Sequence, residues 1–324
     1  MREQTTLPSV LQGLRLPVIA APMFTVSYPE LVIAQCQAGI AGAFPALNAR
    51  RPELLDQWLT QIKQTLSEYQ SQHPDKPVGP IAVNQIIHHS NQRLEEDVEI
   101  CLRHEVPIFI TSLRAPMPEM IQAVHAYGGI VLHDVINLRH ALKAIEAGVD
   151  GLILVAAGAG GHAGTLSPFA LIKEIRAHYD GPIALAGAIS TGEAVLAAQI
   201  LGADLAYMGT RFIASTEAQA SADYKQSILQ AGASDIIYTD KISGVHGNYL
   251  RQSLERAGLD LENLNQGPKG KIEYSKEQGA KAWKDIWGAG QGVAAIHHIL
   301  PTAEIVNQLE AEYRAALDAV RRFA

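Results

Sequence analysis

Short apolar runs alternate with longer segments of mixed character along the first 210 residues of the chain. A continuous apolar run of four to eight residues is typical of a parallel strand that is covered on both faces. Segments whose apolar residues recur at helical spacing predict amphipathic helices that pack over such strands. The runs predict eight strands, at 16–23, 41–47, 80–87, 107–112, 129–135, 150–155, 182–187 and 203–210.

Start and stop signals mark several of the intervening helices. Ser167 and Pro168 suit the N-cap and the first helical position, and Gly148 suits the end of a helix. The predicted helices span 29–38, 52–66, 91–104, 118–127, 137–148, 167–179 and 191–202, and a closing helix spans 304–323.

Eight strand–helix steps in succession predict a closed (β/α)8 TIM barrel of the α/β class. A doubly wound open sheet is the alternative, but no GxGxxG segment follows the first strand. The alternation of apolar runs and helical segments ends after the eighth strand. We therefore predict a barrel formed by 1–214 with 291–324, and a smaller, mainly helical lid or insert region at 215–290 that covers the barrel mouth.

Composition excludes some classes of function. The chain has 324 residues, 48% hydrophobic content and a formal net charge of −7, whereas a general nucleic-acid binder needs a basic patch. Cys36 and Cys101 are not spaced as a disulfide framework or with other metal ligands, so we predict two core thiols and no metal site. No secretory signal or membrane span is evident, and we expect a cytoplasmic protein with no membrane partner.

Active sites of TIM barrels lie at the carboxyl ends of the strands. Small residues follow the last two predicted strands, at Gly187-Ala188 and Gly209-Thr210. Backbone N–H groups there can approach a phosphate closely, and the Thr210 hydroxyl can contribute. The two strand ends together predict a phosphate-binding cup.

The other strand ends carry few charged groups. A flavin mononucleotide needs backbone polar groups and amides rather than charged catalysts, and Asn84 could bind its ring edge. A phosphorylated sugar would also fill the cup, in an isomerase or aldolase without flavin. Such a substrate usually meets Lys, Asp and Glu at strand ends, and these are scarce here.

The chain resembles the nitronate monooxygenase family, formerly called 2-nitropropane dioxygenases. The matching segments occur in the family's order: PVIAAPM (17–23), VNQI (83–86), LRHALKAIEAGVDG (138–151), GAGGHAG (158–164), PIALAGAISTG (182–192), ADLAYMGTRFIAS (203–215) and GAGQG (288–292). This resemblance implies an FMN-dependent TIM barrel related to flavin-dependent enoyl reductases.

The resemblance also implies roles for individual residues. His162 stands where the family keeps its active-site histidine, which acts as a catalytic base in several members. The residues implied to contact FMN are Ala21, Pro22, Met23, Asn84, Val155, Gly160, Gly187, Ala188, Tyr207, Met208, Gly209 and Thr210. His133, Ser112 and His89 follow strand ends and are weaker candidates for substrate contact, with buried structural roles as the alternative.

The chain departs from the family pattern at three places. Ala188 replaces the second glycine of a Gly-Gly pair, and its Cβ is tolerable if its φ is negative. Gly158-Ala159 stands where many members have an acidic residue, and Asp134 stands where many have a lysine. These departures bear on the substrate and on the use of reduced nicotinamide more than on flavin binding.

The implied reaction is oxidation of an alkyl nitronate with O2 to a carbonyl compound and nitrite, with propionate 3-nitronate as one candidate substrate. The alternative on the same fold is an NAD(P)H-dependent flavin reductase acting on a quinone or an enoyl thioester. We expect small-molecule partners, nitronate or nitroalkane and O2, and a homodimer is conceivable.

Overall fold

The computed structural model describes residues 7–264 and 285–322. Its main element is an eight-stranded parallel sheet in the order β1-β9-β8-β6-β5-β4-β3-β2. The strands are β1 (Val18–Ala20), β2 (Gly42–Pro45), β3 (Ile81–Ile87), β4 (Ile108–Leu113), β5 (Ile130–Val135), β6 (Gly151–Val155), β8 (Ile183–Ala186) and β9 (Leu205–Met208).

Hydrogen bonds between β1 and the residue before β2 close this sheet into a barrel. The Ala20 N–H donates to the Ala41 carbonyl at 2.8 Å, and the Ala41 N–H donates to the Val18 carbonyl at 3.2 Å. The predicted TIM barrel is confirmed, and seven of the eight barrel strands lie within the predicted runs, while β4 extends one residue beyond its run, to Leu113.

Helices surround the barrel and cover its outer face. They are α1 (Pro29–Gln37), α2 (Pro52–Gln72), α3 (Leu94–Arg103), α4 (Pro118–His125), α5 (Leu138–Ala147), α6 (Pro168–Arg176), α7 (Gly192–Leu201), the single turn α8 (Thr210–Ile213) and the closing helix α11 (Thr302–Arg321). Helix α11 packs so closely on α7 that a Cβ on Gly192 would lie 2.1 Å from the Leu309 carbonyl oxygen. The C-terminal segment is therefore part of the barrel's helical layer.

Alternate residues of each barrel strand face two different apolar layers. Ile130 and Leu132 of β5 belong to the interior cluster, whereas Val131 and Val135 pack under the helices. Because both layers are apolar, the strands appear in the sequence as continuous runs without alternation. Cys36 and Cys101 are buried free thiols in the helix-facing layer, as predicted.

The region after β9 adds helices and strands above the barrel mouth. Its described elements are helices α9 (Ala222–Gln230) and α10 (Arg251–Arg256) and strands β10 (Ile236–Thr239) and β11 (Gly247–Leu250). β10 and β11 form an antiparallel sheet with the two-residue strand β7 (Gly161–His162), which belongs to the loop after β6. The described part of this region contains two helices, and its two strands were not predicted. Residues 265–284 of the predicted 215–290 region lie outside the described residues, and its boundaries remain a prediction.

None of the helices within the described ranges is both long and apolar enough to cross a bilayer.

Candidate active site

A cavity of about 350 Å³ opens at the carboxyl ends of the barrel strands. Its wall combines the residues after β1, the ends of β3, β4 and β5, the loop after β6, and the ends of β8 and β9. The sequence-predicted residues that line it are Ala21, Pro22, Met23, Asn84, Ser112, Val155, Gly160, His162, Gly187, Ala188, Tyr207, Gly209 and Thr210. The topology thus brings most of the candidate residues to one place.

Three predicted residues, Met208, His133 and His89, do not line the cavity. Met208 packs its side chain under the helices, because it follows the inward-facing Tyr207 on β9. His133 is buried on the helix-facing side of β5, where its Nδ1 lies 2.8 Å from the Thr111 hydroxyl. His89 follows the end of β3 outside the cavity wall, and its ring centroid lies 4.0 Å from that of His88 with the two ring planes tilted by 40°.

A chain of three hydrogen-bonded side chains crosses the cavity wall from β3 to β5. Asn84 donates through Nδ2 to the Ile110 carbonyl at 3.2 Å and to the Ser112 hydroxyl at 2.7 Å. Ser112 in turn donates to Asp134 Oδ2 at 2.6 Å. Because the Asn84 N–H groups point to these acceptors, its amide oxygen is the atom that remains to accept a hydrogen bond from a ligand.

Asp134 is the cavity residue whose importance the sequence analysis missed. Burial raises the pKa of its carboxyl to about 7, and the hydrogen bond from Ser112 only partly opposes this. Its second oxygen, Oδ1, is buried and has no hydrogen-bond partner in the described part of the chain. A strongly perturbed carboxyl in a cleft is a candidate functional group. The sequence signal was the departure at this position, where many relatives have lysine.

His162 is held by the strands above the barrel mouth. It pairs with Gly247 of β11, and Gly161 pairs with Asn248, whose side chain donates to the Ala159 carbonyl at 2.6 Å. The His162 Nε2 lies 2.9 Å from the Ser243 hydroxyl. Burial lowers the pKa of His162 to about 4, so the imidazole is neutral at pH 7.

The predicted phosphate cup lies where the neighbouring strands β8 and β9 end. Thr210 accepts a hydrogen bond from the Gly290 N–H at 2.9 Å, and Ser190 also lines this part of the cavity. Ala188 has a φ of +54°, so the condition under which its Cβ would be tolerated without strain is not met. The left-handed conformation is the one that the second glycine of a Gly-Gly pair would adopt without strain.

The segment 288–292 forms part of the cup, and its glycines allow close approach. A Cβ on Gly290 would lie 2.6 Å from the Gly158 carbonyl oxygen, and one on Gly292 would lie 2.4 Å from Ser190 Oγ. A Cβ on Gly160 would lie 2.8 Å from the Gly290 nitrogen. The GAGQG segment therefore closes on the Gly-rich loop after β6, far from it in sequence.

These features fit an elongated, flat, phosphorylated cofactor. The cup supplies small residues and hydroxyls at one part of the wall, and the Asn84 amide oxygen supplies an acceptor at another. Ala21, Val155 and Ala186 add small apolar surface, and a Cβ on Gly209 would stand 3.4 Å from that of Ala21. A flavin mononucleotide matches this combination of an apolar wall and few polar contacts.

The nitronate monooxygenase family model matches residues 7–312. A nitronate monooxygenase from Paraburkholderia phytofirmans is 28% identical, over the full length of both proteins. A nitronate monooxygenase from Pseudomonas aeruginosa is 26% identical, and the alignment covers 94% of this chain and 98% of that protein.

Solved structures are similar in fold. Nitroalkane oxidase from Streptomyces ansochromogenes superposes with a TM-score of 0.80 at 22% identity, covering 96% of this chain and all of that one. FabK from Thermotoga maritima superposes with a TM-score of 0.78 at 22% identity, covering both chains fully. At these identities the likeness shows a shared fold.

Proposed function

Because this chain belongs to the nitronate monooxygenase family of flavin-dependent oxidoreductases, we propose that it binds FMN and oxidises alkyl nitronates with O2 to carbonyl compounds and nitrite. The observation that carries the proposal is the composition of the cavity. It joins a glycine-lined cup and the Asn84 amide oxygen to the His162 imidazole, which is neutral at pH 7. A site that leaves electron transfer to a cofactor needs few reactive side chains of its own.

Residues of the cup and of the first strand end would hold the cofactor. Gly187, Ala188, Gly209 and Thr210 would meet the phosphate, and the Asn84 amide oxygen would accept a hydrogen bond from the ring edge. The bound flavin would supply the one-electron and O2 chemistry of the reaction. The protein's contribution is to position this group, keep the space beside it small and exclude water.

His162 would contact the substrate. A neutral imidazole can accept a proton from a carbon acid or direct a hydrogen bond at a nitro group. With a pKa of about 4, His162 is a weak base, so this chain is better suited to the preformed nitronate than to the neutral nitroalkane. We therefore expect the nitronate anion to be a better substrate than the neutral nitroalkane. Simple alkyl nitronates and propionate 3-nitronate are the two anions to compare as substrates.

The test is to mix the flavin-loaded protein with each possible electron donor. Ethyl nitronate should consume O2 and release nitrite, and NADH or NADPH should not bleach the flavin anaerobically. Rapid bleaching by NAD(P)H, with no nitrite from nitronate, would instead identify a flavin reductase of the quinone or enoyl-thioester class. A purified protein without an absorbance band near about 450 nm would contradict flavin binding.

Assembly and location extend the proposal. A homodimer and a cytoplasmic location remain predictions, and sedimentation velocity tests the first of them.

A further inference from the structure

The cavity contains few groups that could balance the charge of a nitronate. Its titratable side chains within the described residues are Asp134 on β5, His140 on α5, His162 on β7, Tyr207 on β9 and Tyr224 on α9. No lysine or arginine of the described ranges lines it. An entering anion therefore meets no permanent positive charge from these residues.

In the four groups other than Asp134 burial favours the neutral form. Burial lowers the pKa values of His140 and His162 and raises those of Tyr207 and Tyr224. The Asp134 carboxyl, with a pKa of about 7, is the group whose charge changes near neutrality. Its ionisation therefore adds one negative charge to the cavity wall that a small ligand meets.

The geometry holds Asp134 in the cavity wall. Ser112 donates to its Oδ2 at 2.6 Å, and Asn84 fixes the Ser112 hydroxyl by donating to it at 2.7 Å. In the ionised carboxyl, the buried Oδ1 would carry negative charge without a hydrogen bond from any described residue. A second negative charge in the same enclosed space would add to that cost, since charges in a water-poor site are weakly screened.

We propose that an ionised Asp134 and an anionic ligand exclude each other, so that Asp134 takes up one proton from solvent when a small planar anion enters the cavity. The step is an acid–base equilibrium: the proton binds a carboxylate oxygen of Asp134, and no bond to the ligand forms or breaks. Asp134 thereby determines specificity, because it disfavours anions above neutral pH and leaves neutral ligands unaffected. That the natural anion is a nitronate rests on the proposed function.

Magnitudes favour Asp134 over His162 as the group that takes up the proton. At pH 8, protonating a group of pKa about 7 reduces affinity about tenfold, whereas protonating one of pKa about 4 reduces it about 10,000-fold. The carboxyl is thus the easier group to protonate when an anion binds.

The test uses propionate, a planar anion that is not oxidised as a nitronate is. Its Kd for the flavin-loaded protein is measured from pH 6 to 9 by the change in flavin absorbance, with propionamide as the neutral control. We expect the Kd of propionate to rise about tenfold per pH unit above pH 7 and that of propionamide to stay constant. Asp134→Asn keeps a polar group of the same size and should give a flat profile, whereas His162→Asn should keep the slope.

A second measurement does not depend on a variant. Calorimetric titration of the wild-type protein with propionate at pH 8.5, in two buffers of different ionisation enthalpy, should show uptake of about one proton per anion. A flat wild-type profile, no proton uptake, or an Asp134→Asn variant that keeps the slope would overturn the proposal, as would a slope lost only in His162→Asn. If the Kd of propionate rises with pH but nitronates are not oxidised, the proposed function fails and this inference stands. If nitronates are oxidised but the Kd of propionate does not change with pH, this inference fails and the proposed function stands.

Discussion

Two polar pairs on the same two strands have opposite surroundings. Ser112 and Asp134 face the cavity and are joined by a hydrogen bond of 2.6 Å, whereas Thr111 and His133 face the helices and are joined at 2.8 Å. In each pair burial disfavours the charged form of one titratable group, since it raises the pKa of Asp134 to about 7 and lowers that of His133 to about 4. The strand face, rather than the residue type, therefore decides which pair meets a ligand.

The comparison extends to two imidazoles, those of His133 and His162. His133 and His162 have similarly lowered pKa values, but only His162 lines the cavity. His133 was a candidate because it lies at a strand end and His162 because of the family resemblance, and the strand face on which each side chain lies separates them.

The largest expected effect is that of His162→Asn. If His162 is the base, this variant should retain flavin and slow the oxidation of neutral nitroethane by 10²–10⁴-fold, the usual contribution of general base catalysis. Steady-state O2 uptake measures the loss, and His133→Asn, which changes an imidazole outside the cavity, is the control. Equal rates in wild type and His162→Asn would show that His162 is not the catalytic base.

The next effect is the decrease in the free energy of unfolding that ionisation of Asp134 causes at high pH. Its pKa is raised above the ordinary value of 3.8, so its favourable contribution is complete below that value and is lost as pH rises through about 7. Asp134→Asn should therefore raise the free energy of unfolding at pH 8 by up to about 4 kcal/mol, and by less at pH 5. Urea unfolding at the two pH values measures this, and a gain that is larger at pH 5 would contradict the assignment.

His133 predicts the opposite pH dependence. Its pKa is lowered from 6.5 to about 4, so its contribution is complete above pH 6.5 and is lost as pH falls through about 4. Between pH 7 and 4 the wild type should lose about 3 kcal/mol more unfolding free energy than His133→Asn. Parallel curves for the two proteins would show that His133 is not buried as a neutral group.

The smallest effect is that of Ala188→Gly in the cup. Ala188 has a φ of +54°, which costs about 1 kcal/mol for a residue with a Cβ, although Gly also gains entropy in the unfolded chain. We expect a net stabilisation below about 1 kcal/mol and tighter binding of FMN phosphate if the cup relaxes. Thermal unfolding with and without FMN measures the change in stability and the change in FMN binding. A destabilised variant would show that the backbone at Ala188 is not strained.

The barrel could be predicted from the sequence because parallel strands buried on both faces give long apolar runs. The same property hid the facing of His133, since neither neighbouring face of β5 is polar enough to show alternation. The strands β7, β10 and β11 were missed because they are short and depend on pairing with one another, across 80 residues or more between β7 and β11. The proposed role of Asp134 depends on its burial and on its hydrogen bond with Ser112. A sequence motif at one position shows neither of these.

The most direct test of the account compares one substitution on each face of β4. Ser112→Ala removes the hydroxyl that joins Asn84 to Asp134, and Thr111→Val removes the hydroxyl that contacts His133. With ethyl nitronate as substrate, kcat/KM should fall about tenfold in Ser112→Ala, corresponding to about 1.4 kcal/mol, and should stay within about twofold of wild type in Thr111→Val. A tenfold loss in Thr111→Val with an unchanged Ser112→Ala would contradict the account, because it would place the functional pair on the helix-facing side.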